Sequence, residues 1–274
     1  MKILQELRNI LTTQGKTVDD SAFILHGLWN IDLFFQPNIE ERLFQYHLLV
    51  SQTQKQGCCY CPTDINSNDL APYIGQDIRK IQSENRAIEI ALLDAGFSAL
   101  PSTPHQDFLL TGTSFEKAME RAEIVVDEVA HLADGMNLDH NPRVLMIGVV
   151  GNIVTTMMER GMDVYATDLD EGLIDRDISG VMVKNGEPHS VALISEVDVV
   201  LVTGMTLATE TLGSIIEEAK AFGKKVIVYA ETGAWFGEAY CQHFGVDAVI
   251  SEPFPFYIFE GHTQILTYRA EQEA

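Results

Sequence analysis

The sequence predicts an α/β protein in which a mainly parallel sheet is preceded by a small α+β unit. Three observations carry that prediction. Residues 143–170, RVLMIGVVGNIVTTMMERGMDVYATDLD, read as strand, glycine turn, helix and strand, with an acid at the second strand's tip. Beyond them the short apolar runs VDVVLVTG, KKVIVYA and DAVIS alternate with helical stretches, the pattern of parallel strands buried on both faces. Before them, segments rich in aromatic and branched residues are broken by turn residues, the pattern of antiparallel strands. The predicted organisation is a small α+β domain over residues 1–112 and a Rossmann-like domain over residues 113–274.

Each element has its own warrant. In MKILQELRNILTTQ, Ile3, Leu7, Ile10 and Leu11 recur at helical spacing with charges between them, so an amphipathic helix is expected rather than a signal peptide. SAFILHGLWNIDLFFQ and RLFQYHLLVSQTQ follow as two strands of a hairpin about the turn Pro37-Asn38, and GCCYCPTD as a third strand stopped by Pro62. Residues 83–96 set Ala87, Ile88, Ala91, Leu92 and Ala95 on one helix face, with Ser83 as cap and Gly96 as stop. SALPSTPHQDFLLTG, with two prolines and little periodicity, reads as a connection over the surface, and FEKAMERAEIVVDEVAHLAD as a long helix. QILTYR is expected as a last strand, antiparallel at an edge.

Composition narrows the partners. Forty acidic residues against 18 basic ones give a formal net charge of −22, a field that repels phosphate backbones and anionic lipid, so neither nucleic acid nor membrane is expected. No apolar run approaches the roughly 20 residues that span a bilayer. The four cysteines form no spaced disulfide framework, which points to a reducing cytoplasm.

In an open parallel sheet, ligands gather outside the carboxyl ends of the strands, near the switch in strand order. The residues standing there are Gly148-Val149-Val150-Gly151 with the helix start at Asn152, then Asp168, Thr203-Gly204-Met205-Thr206, Glu231-Thr232-Gly233 and Ser251-Glu252-Pro253. The glycine turn lets a backbone approach a ligand, and free N–H groups at the helix start favour an anion or polar group by roughly 0.3 to 2 kcal/mol. Asp168 is spaced like an acid that accepts hydrogen bonds from a ribose, which supports an adenosine-bearing ligand. The G-x-x-G spacing falls short of the full dinucleotide fingerprint and counts against NAD. A 2′-phosphate at ~4 Å from Asp168 would meet repulsion on the order of 4 kcal/mol at an effective dielectric of ~20, which counts against NADP. S-adenosylmethionine stays open, although RVLMIG lacks an acid. A packing-only reading stands beside these: both glycines seat a helix on a strand, and Asp168 caps a helix.

The combination of MIGVVGNIVTTMMERGMDVYATDLD with VDVVLVTGMTLATETLGSIIEEAK resembles the putative heavy-metal chelation family. Thr203-Gly204-Met205-Thr206 matches that family's T-G-x-T loop, and Thr211-Leu212 through Ala219-Lys220 its following helix. The resemblance implies a Rossmann-like domain after one similar to the enolase amino-terminal domain, with Asn85 at the place where that domain has an Asn before a helix. It also implies a cleft between the two, lined by strand tips of the second and helix starts of the first. The aromatic end SEPFPFYIFEGHTQILTYR departs from the family pattern.

For a metal ion, Cys59 and Cys61 share one face of a strand while Cys58 points oppositely, so at most two thiolates reach one ion; inert, buried strand cysteines are the competing reading. His262, in the turn Glu260-Gly261-His262, is a candidate for metal or for catalysis. Glu84, Asn85 and Glu231 complete the catalytic candidates, and no nucleophile motif is present. Phe254-Pro255-Phe256-Tyr257-Ile258-Phe259 is a pocket wall, a dimer contact or core. Three functional readings follow. The first is a binder of a small polar ligand, with or without a heavy or divalent metal ion, in the cleft between the domains. The second is a small-molecule biosynthetic enzyme using an adenosine cofactor, S-adenosylmethionine before NAD. The third is a non-catalytic binding module acting as a homodimer.

Overall fold

The computed structural model describes residues 2–36, 43–61 and 65–271. The fold is α/β, with a small antiparallel sheet of three strands and a large, mostly parallel sheet of nine. Helix α1 (Ile3–Gln14) buries Ile3, Leu7, Ile10 and Leu11, the stripe its spacing predicts. Strands β1 (Gly27–Phe35) and β2 (Phe44–Gln52) pair antiparallel, and β3 (Gln56–Cys61) adds antiparallel to β2. The expected turn at Pro37-Asn38 and the stop at Pro62 lie outside the described residues.

Helix α2 (Arg86–Phe97) covers one face of this sheet. Its cap is Asn85, whose side-chain oxygen accepts the N–H of Ala87 at 3.0 Å and of Ile88 at 3.3 Å. Ser83 stands two residues before that cap, its hydroxyl accepting the N–H of Asn85 at 3.2 Å, because the reach to the first free helical N–H groups belongs to the residue just before the helix. Gly96 lies inside the last turn rather than ending it, and Ser98 closes the helix.

The large sheet begins earlier than the apolar runs suggest. Gln106–Leu110, expected as part of a surface connection, is strand β4, and it pairs antiparallel with the last strand. Then follow α3 (Ser114–Asp134), β5 (Arg143–Ile147), α4 (Gly151–Glu159), β6 (Asp163–Asp168), β7 (Asp177–Ile178), β8 (Val181–Asn185) and α5 (Gly186–Leu193). The chain continues through β9 (Val199–Thr203), α6 (Met205–Ala208), α7 (Leu212–Ala221), β10 (Lys225–Ala230), β11 (Ala248–Ser251) and β12 (Thr263–Arg269). The order across the sheet is β4-β12-β11-β10-β9-β5-β6-β8-β7, with β11, β10, β9, β5, β6 and β8 mutually parallel. Strand β12 is antiparallel as expected, yet β4 covers its outer side and takes the edge. The order switches between β5 and β9, so the carboxyl ends of those strands flank the place where such sheets receive ligands.

Alternate residues of the central strands divide the core. Val144, Met146, Val199 and Leu201 face α3 and α4, while Leu145, Ile147, Val200 and Val202 face the other way into the cluster that also holds Leu11, Leu49 and Leu92 of the small part. Of the aromatic segment, Phe256 is core: it is fully buried, stacks on Tyr60 at 5.6 Å between centroids, and packs with Leu48 and Val50 of the small sheet's second face, while Phe254, Tyr257, Ile258 and Phe259 are half-buried and Pro255 is exposed. No helix among the described residues is long and apolar enough to cross a membrane.

Candidate functional site

At the switch point the strand tips are laced together. Gly148 has φ +83°, and a Cβ there would lie 2.2 Å from Thr203 Oγ1, so this position requires glycine both for its backbone angle and for contact with the next loop. A Cβ on Gly204 would lie 2.4 Å from the carbonyl oxygen of Thr232, and the Gly204 N–H donates to the Tyr229 carbonyl at 2.8 Å. Thr206 Oγ1 donates to the Thr203 carbonyl at 2.7 Å. The turns after β5, β9 and β10 therefore touch, which brings Gly148, Thr203, Gly204 and Thr206 into one assembly with Thr232. Gly151 begins α4, where a Cβ would meet Ile178 Cγ2 at 4.0 Å, an ordinary contact, and Val149 and Val150 pack against the α3 side of the core.

Asp168 serves the turn from within the chain. Its Oδ2 accepts the Val149 N–H at 2.7 Å and its Oδ1 the Asp170 N–H at 2.8 Å. Burial raises the Asp168 carboxyl above the usual carboxylate range while those two N–H groups oppose the rise. Asn152 is also engaged: its Nδ2 donates to the Ala118 carbonyl at 2.7 Å and its Oδ1 accepts from Arg121 Nη2 at 3.0 Å.

The strongest chemistry lies one step along, past the ends of β10 and β11. The Tyr229 hydroxyl stands 2.8 Å from Glu231 Oε1 and 2.5 Å from Glu252 Oε2, and it accepts from Arg121 Nη1 at 3.0 Å. Arg121 Nη1 also lies 3.5 Å from Glu231 and 3.7 Å from Glu252, and the guanidinium stacks 4.0 Å from the Tyr257 ring centroid. Glu252 Oε1 accepts the Tyr257 N–H at 2.6 Å. From the small sheet, the Tyr60 phenol hydrogen-bonds Glu231, and the Tyr60 N–H donates to Thr232 Oγ1 at 2.9 Å. Tyr46 packs edge-on against Tyr60 at 5.6 Å. The side chain of Arg121 is 1% exposed, that of Glu252 0% and that of Glu231 17%, so Glu231 is the member of the ion cluster that something outside can reach.

Electrostatics follow from that burial. Glu231 is pushed up to about 7, first by burial and then by the charge of Glu252, against the pull of Arg121 and of the Tyr229 and Tyr60 phenols. Burial works against the charge of Arg121, yet Tyr229, Glu252, Tyr257 and Glu231 outweigh it and hold the guanidinium firmly protonated. Tyr60 and Tyr229 sit well above the ordinary phenol range, again mainly through burial.

The other expected residues fall elsewhere. Glu84 is exposed, and Asn85 caps α2 beside Arg86, whose Nε donates to the Leu207 carbonyl at 2.8 Å. His262 is exposed at the start of β12, next to Gly261, whose carbonyl accepts from buried Lys117 at 2.9 Å. Cys59 and Cys61 share a face as predicted, buried against the core under α2. Burial pushes the Cys59 thiol well above its usual range, while a hydrogen bond with Cys59 holds Cys61 below it. Among the described residues, no three His, Cys, Asp or Glu side chains converge on a point that could hold a metal ion. A hollow of about 420 Å³ lined by Lys2, Gln5, Glu6, His243 and Phe244, and another of about 240 Å³ reaching Trp235, lie beside α1, and no residue of the ion cluster lines either.

Sequence reasoning missed Arg121, Tyr229, Tyr60 and Tyr46. One signal was present: Lys117 and Arg121, four residues apart, fall on the face of α3 that carries Ala118, Ala122 and Val125, and two cations on an apolar stripe imply buried partners.

Fold and site together define a two-sheet α/β protein with a buried carboxyl, guanidinium and phenol cluster where the sheets meet. Residues 131–250 match the model of the DUF364 family, described as putative heavy-metal chelation, so the family resemblance read in the sequence is shown over that span. The crystal structure of a DUF364 protein of unknown function from Pyrococcus horikoshii superposes with a TM-score of 0.53 at 15% identity, over 96% of this chain and 99% of that one. Another, from Desulfitobacterium hafniense DCB-2, gives 0.58 at 13% identity, over 97% and 98%. At such identity the likeness is one of fold. The curated proteins offer no match.

Proposed function

We propose that the chain binds a small polar molecule where Tyr46 and Tyr60 of the small sheet meet the carboxyl ends of β10 and β11, and that Glu231 is the group that meets it. One observation carries this reading. Glu231 is enclosed by Arg121, Tyr229 and Tyr60, carries a carboxyl shifted to about 7, and still keeps 17% of its side chain exposed. Buried polar groups held this way at a rim are a costly arrangement unless a ligand uses them.

The family description brings a heavy or divalent metal ion into the proposal. With no converging set of three protein ligands among the described residues, such an ion would arrive as part of the ligand. The adenosine-cofactor reading has less support, because each oxygen of Asp168 already accepts a backbone N–H.

Thermal-shift measurements with amides, amines, carboxylates, Zn²⁺, Ni²⁺, S-adenosylmethionine and NAD test the proposal, with elemental analysis of the untreated protein alongside. A ligand at a hundredfold excess over its Kd adds about 2.7 kcal/mol and raises Tm accordingly. The expected result is a shift that Glu231→Ala removes and Asp168→Ala leaves in place. Stabilisation by S-adenosylmethionine or NAD that vanishes in Asp168→Ala, and persists in Glu231→Ala, would replace this reading with the cofactor one.

A further inference from the structure

The two sheets end in four edge strands, and three of these are blunted or tied down. In the large sheet β7 is two residues long, and β4 is five residues long with Asp107 exposed on it, so neither offers a long apolar edge to another strand. In the small sheet the outer side of β3 is used within the chain. The N–H groups of Cys58 and Tyr60 donate to Asp94 and Thr232, the Cys58 carbonyl accepts the Gly233 N–H at 3.1 Å, and the Gln56 carbonyl accepts the Trp235 indole N–H at 2.8 Å. Strand β1 differs. It pairs with β2 along all nine of its residues without a bulge, and among the described residues no strand lies on its other side. GLWNIDLFF holds no proline or lysine, residues that commonly keep such an edge from pairing, and Trp29 and Phe34 are 45% and 63% exposed.

The side chains of β1 decide what pairs with it. Trp29, Ile31 and Leu33 share the face on which Ile31 and Leu33 pack toward Leu48 and Phe256, and Leu28, Asn30, Asp32 and Phe34 share the other. From Leu28 to Phe34 the order of apolar and polar positions reads the same from either end. An antiparallel copy centred on Ile31 therefore overlaps the whole strand, with Trp29 opposite Leu33, Ile31 opposite Ile31, Leu28 opposite Phe34 and Asn30 opposite Asp32.

Charge selects the same partner and the same register. A chain of net charge −22 resists its own copies wherever its acids are exposed, yet β1 carries a single charged residue, Asp32, which is hydrogen-bonded to His47 Nδ1 at 2.6 Å. Centred on Ile31, each Asp32 meets a neutral Asn30. Centred one residue further on, the two Asp32 carboxylates would stand directly opposite each other, a destabilising pair. We propose that two copies of this chain pair antiparallel through their β1 strands about a two-fold axis at Ile31, joining the two small sheets edge to edge.

Sedimentation velocity of the whole protein from about 1 to about 200 µM tests the pairing. Nine residues a side fall short of the roughly 20 to 30 of a standard interface, so the expected dimer is weak, with a Kd on the order of 10 µM. Phe34→Glu, at an exposed position, should leave the circular dichroism unchanged and weaken the dimer at least about tenfold. Register is read by cysteine substitution with oxidised glutathione as the oxidant. Ile31→Cys is expected to cross-link to itself, because directly opposed Cβ atoms of antiparallel strands stand about 4.5 to 5.5 Å apart, and Trp29→Cys to cross-link with Leu33→Cys but not with itself. The natural cysteines are buried, and the wild type is the control. A wild type that stays monomeric to about 200 µM would overturn the dimer and leave the edge to a different chain. A dimer indifferent to Phe34→Glu, or one in which Ile31→Cys does not cross-link, would overturn the pairing through β1, and self-linking of Asp32→Cys in its place would overturn the register.

Discussion

A carboxyl that stays neutral to about 7 when folded but ionises near 4.5 when unfolded couples folding to pH. Between those values the folded chain binds more protons than the unfolded one, so Glu231's contribution is complete below about 4.5 and is lost as pH rises through 7. The size is about 3 kcal/mol by the usual conversion, part of it belonging to the neighbouring Glu252. Asp94, which burial pushes up to about 8 against three backbone N–H groups, adds a slope of the same sign. Urea midpoints of wild type are therefore expected to fall between about pH 5 and about pH 8, and Glu231→Gln to fall less steeply. A Gln variant with the full wild-type slope would remove Glu231 from this account.

Among the elements, Asp94 near the end of α2 binds three segments to one another. Its two oxygens accept the Cys58 N–H of β3 at 2.7 Å and the Trp235 N–H at 2.8 Å, with Ala234 as a third donor, so it ties the small sheet to the loop after β10. Asp94→Ala leaves those donors buried without acceptors and is expected to cost about 3 kcal/mol or more; Asp94→Asn, which keeps one oxygen, should cost less. Chemical denaturation of the two variants measures the difference, and equal stability of Asp94→Ala and wild type would show that water replaces the carboxyl group freely. The same scale shows what the sequence makes legible. Strands β5, β9, β10 and β11 are apolar on both faces and announce themselves, and so does α1 by its spacing. Strand β4 does not, because only Leu110 of its five residues is buried, and β7 and β8 are short with alternate residues exposed. Glu231 and Glu252 stand just past strand ends and can be picked out on that ground. Their partners Arg121, Tyr60 and Tyr46 come from α3 and the small sheet, and only the tertiary packing brings them there.

At the scale of the whole molecule, the small antiparallel sheet is not a separately packed body. Leu7, Leu11, Leu49 and Leu92 share one apolar cluster with Leu145, Val200 and Val228 of the large sheet, while Phe256 seals the small sheet's second face. Exposing either partner alone would open much of that shared surface to water, at roughly 25 cal/mol per Å². The expected consequence is one unfolding transition despite the 274-residue length. Trp29 in β1 and Trp235 in the loop after β10 make this measurable. In Trp235→Phe, fluorescence reports the small sheet alone, while far-ultraviolet circular dichroism is dominated by the helices and the large sheet, and the two urea curves should coincide. Leu92→Ala, a truncation in α2, should move both curves together by about 2 to 5 kcal/mol. A Trp29 signal lost at lower urea than the dichroism, or a Leu92→Ala shift seen by fluorescence alone, would mean that the small sheet comes away first, and that the Glu231 site opens whenever it does.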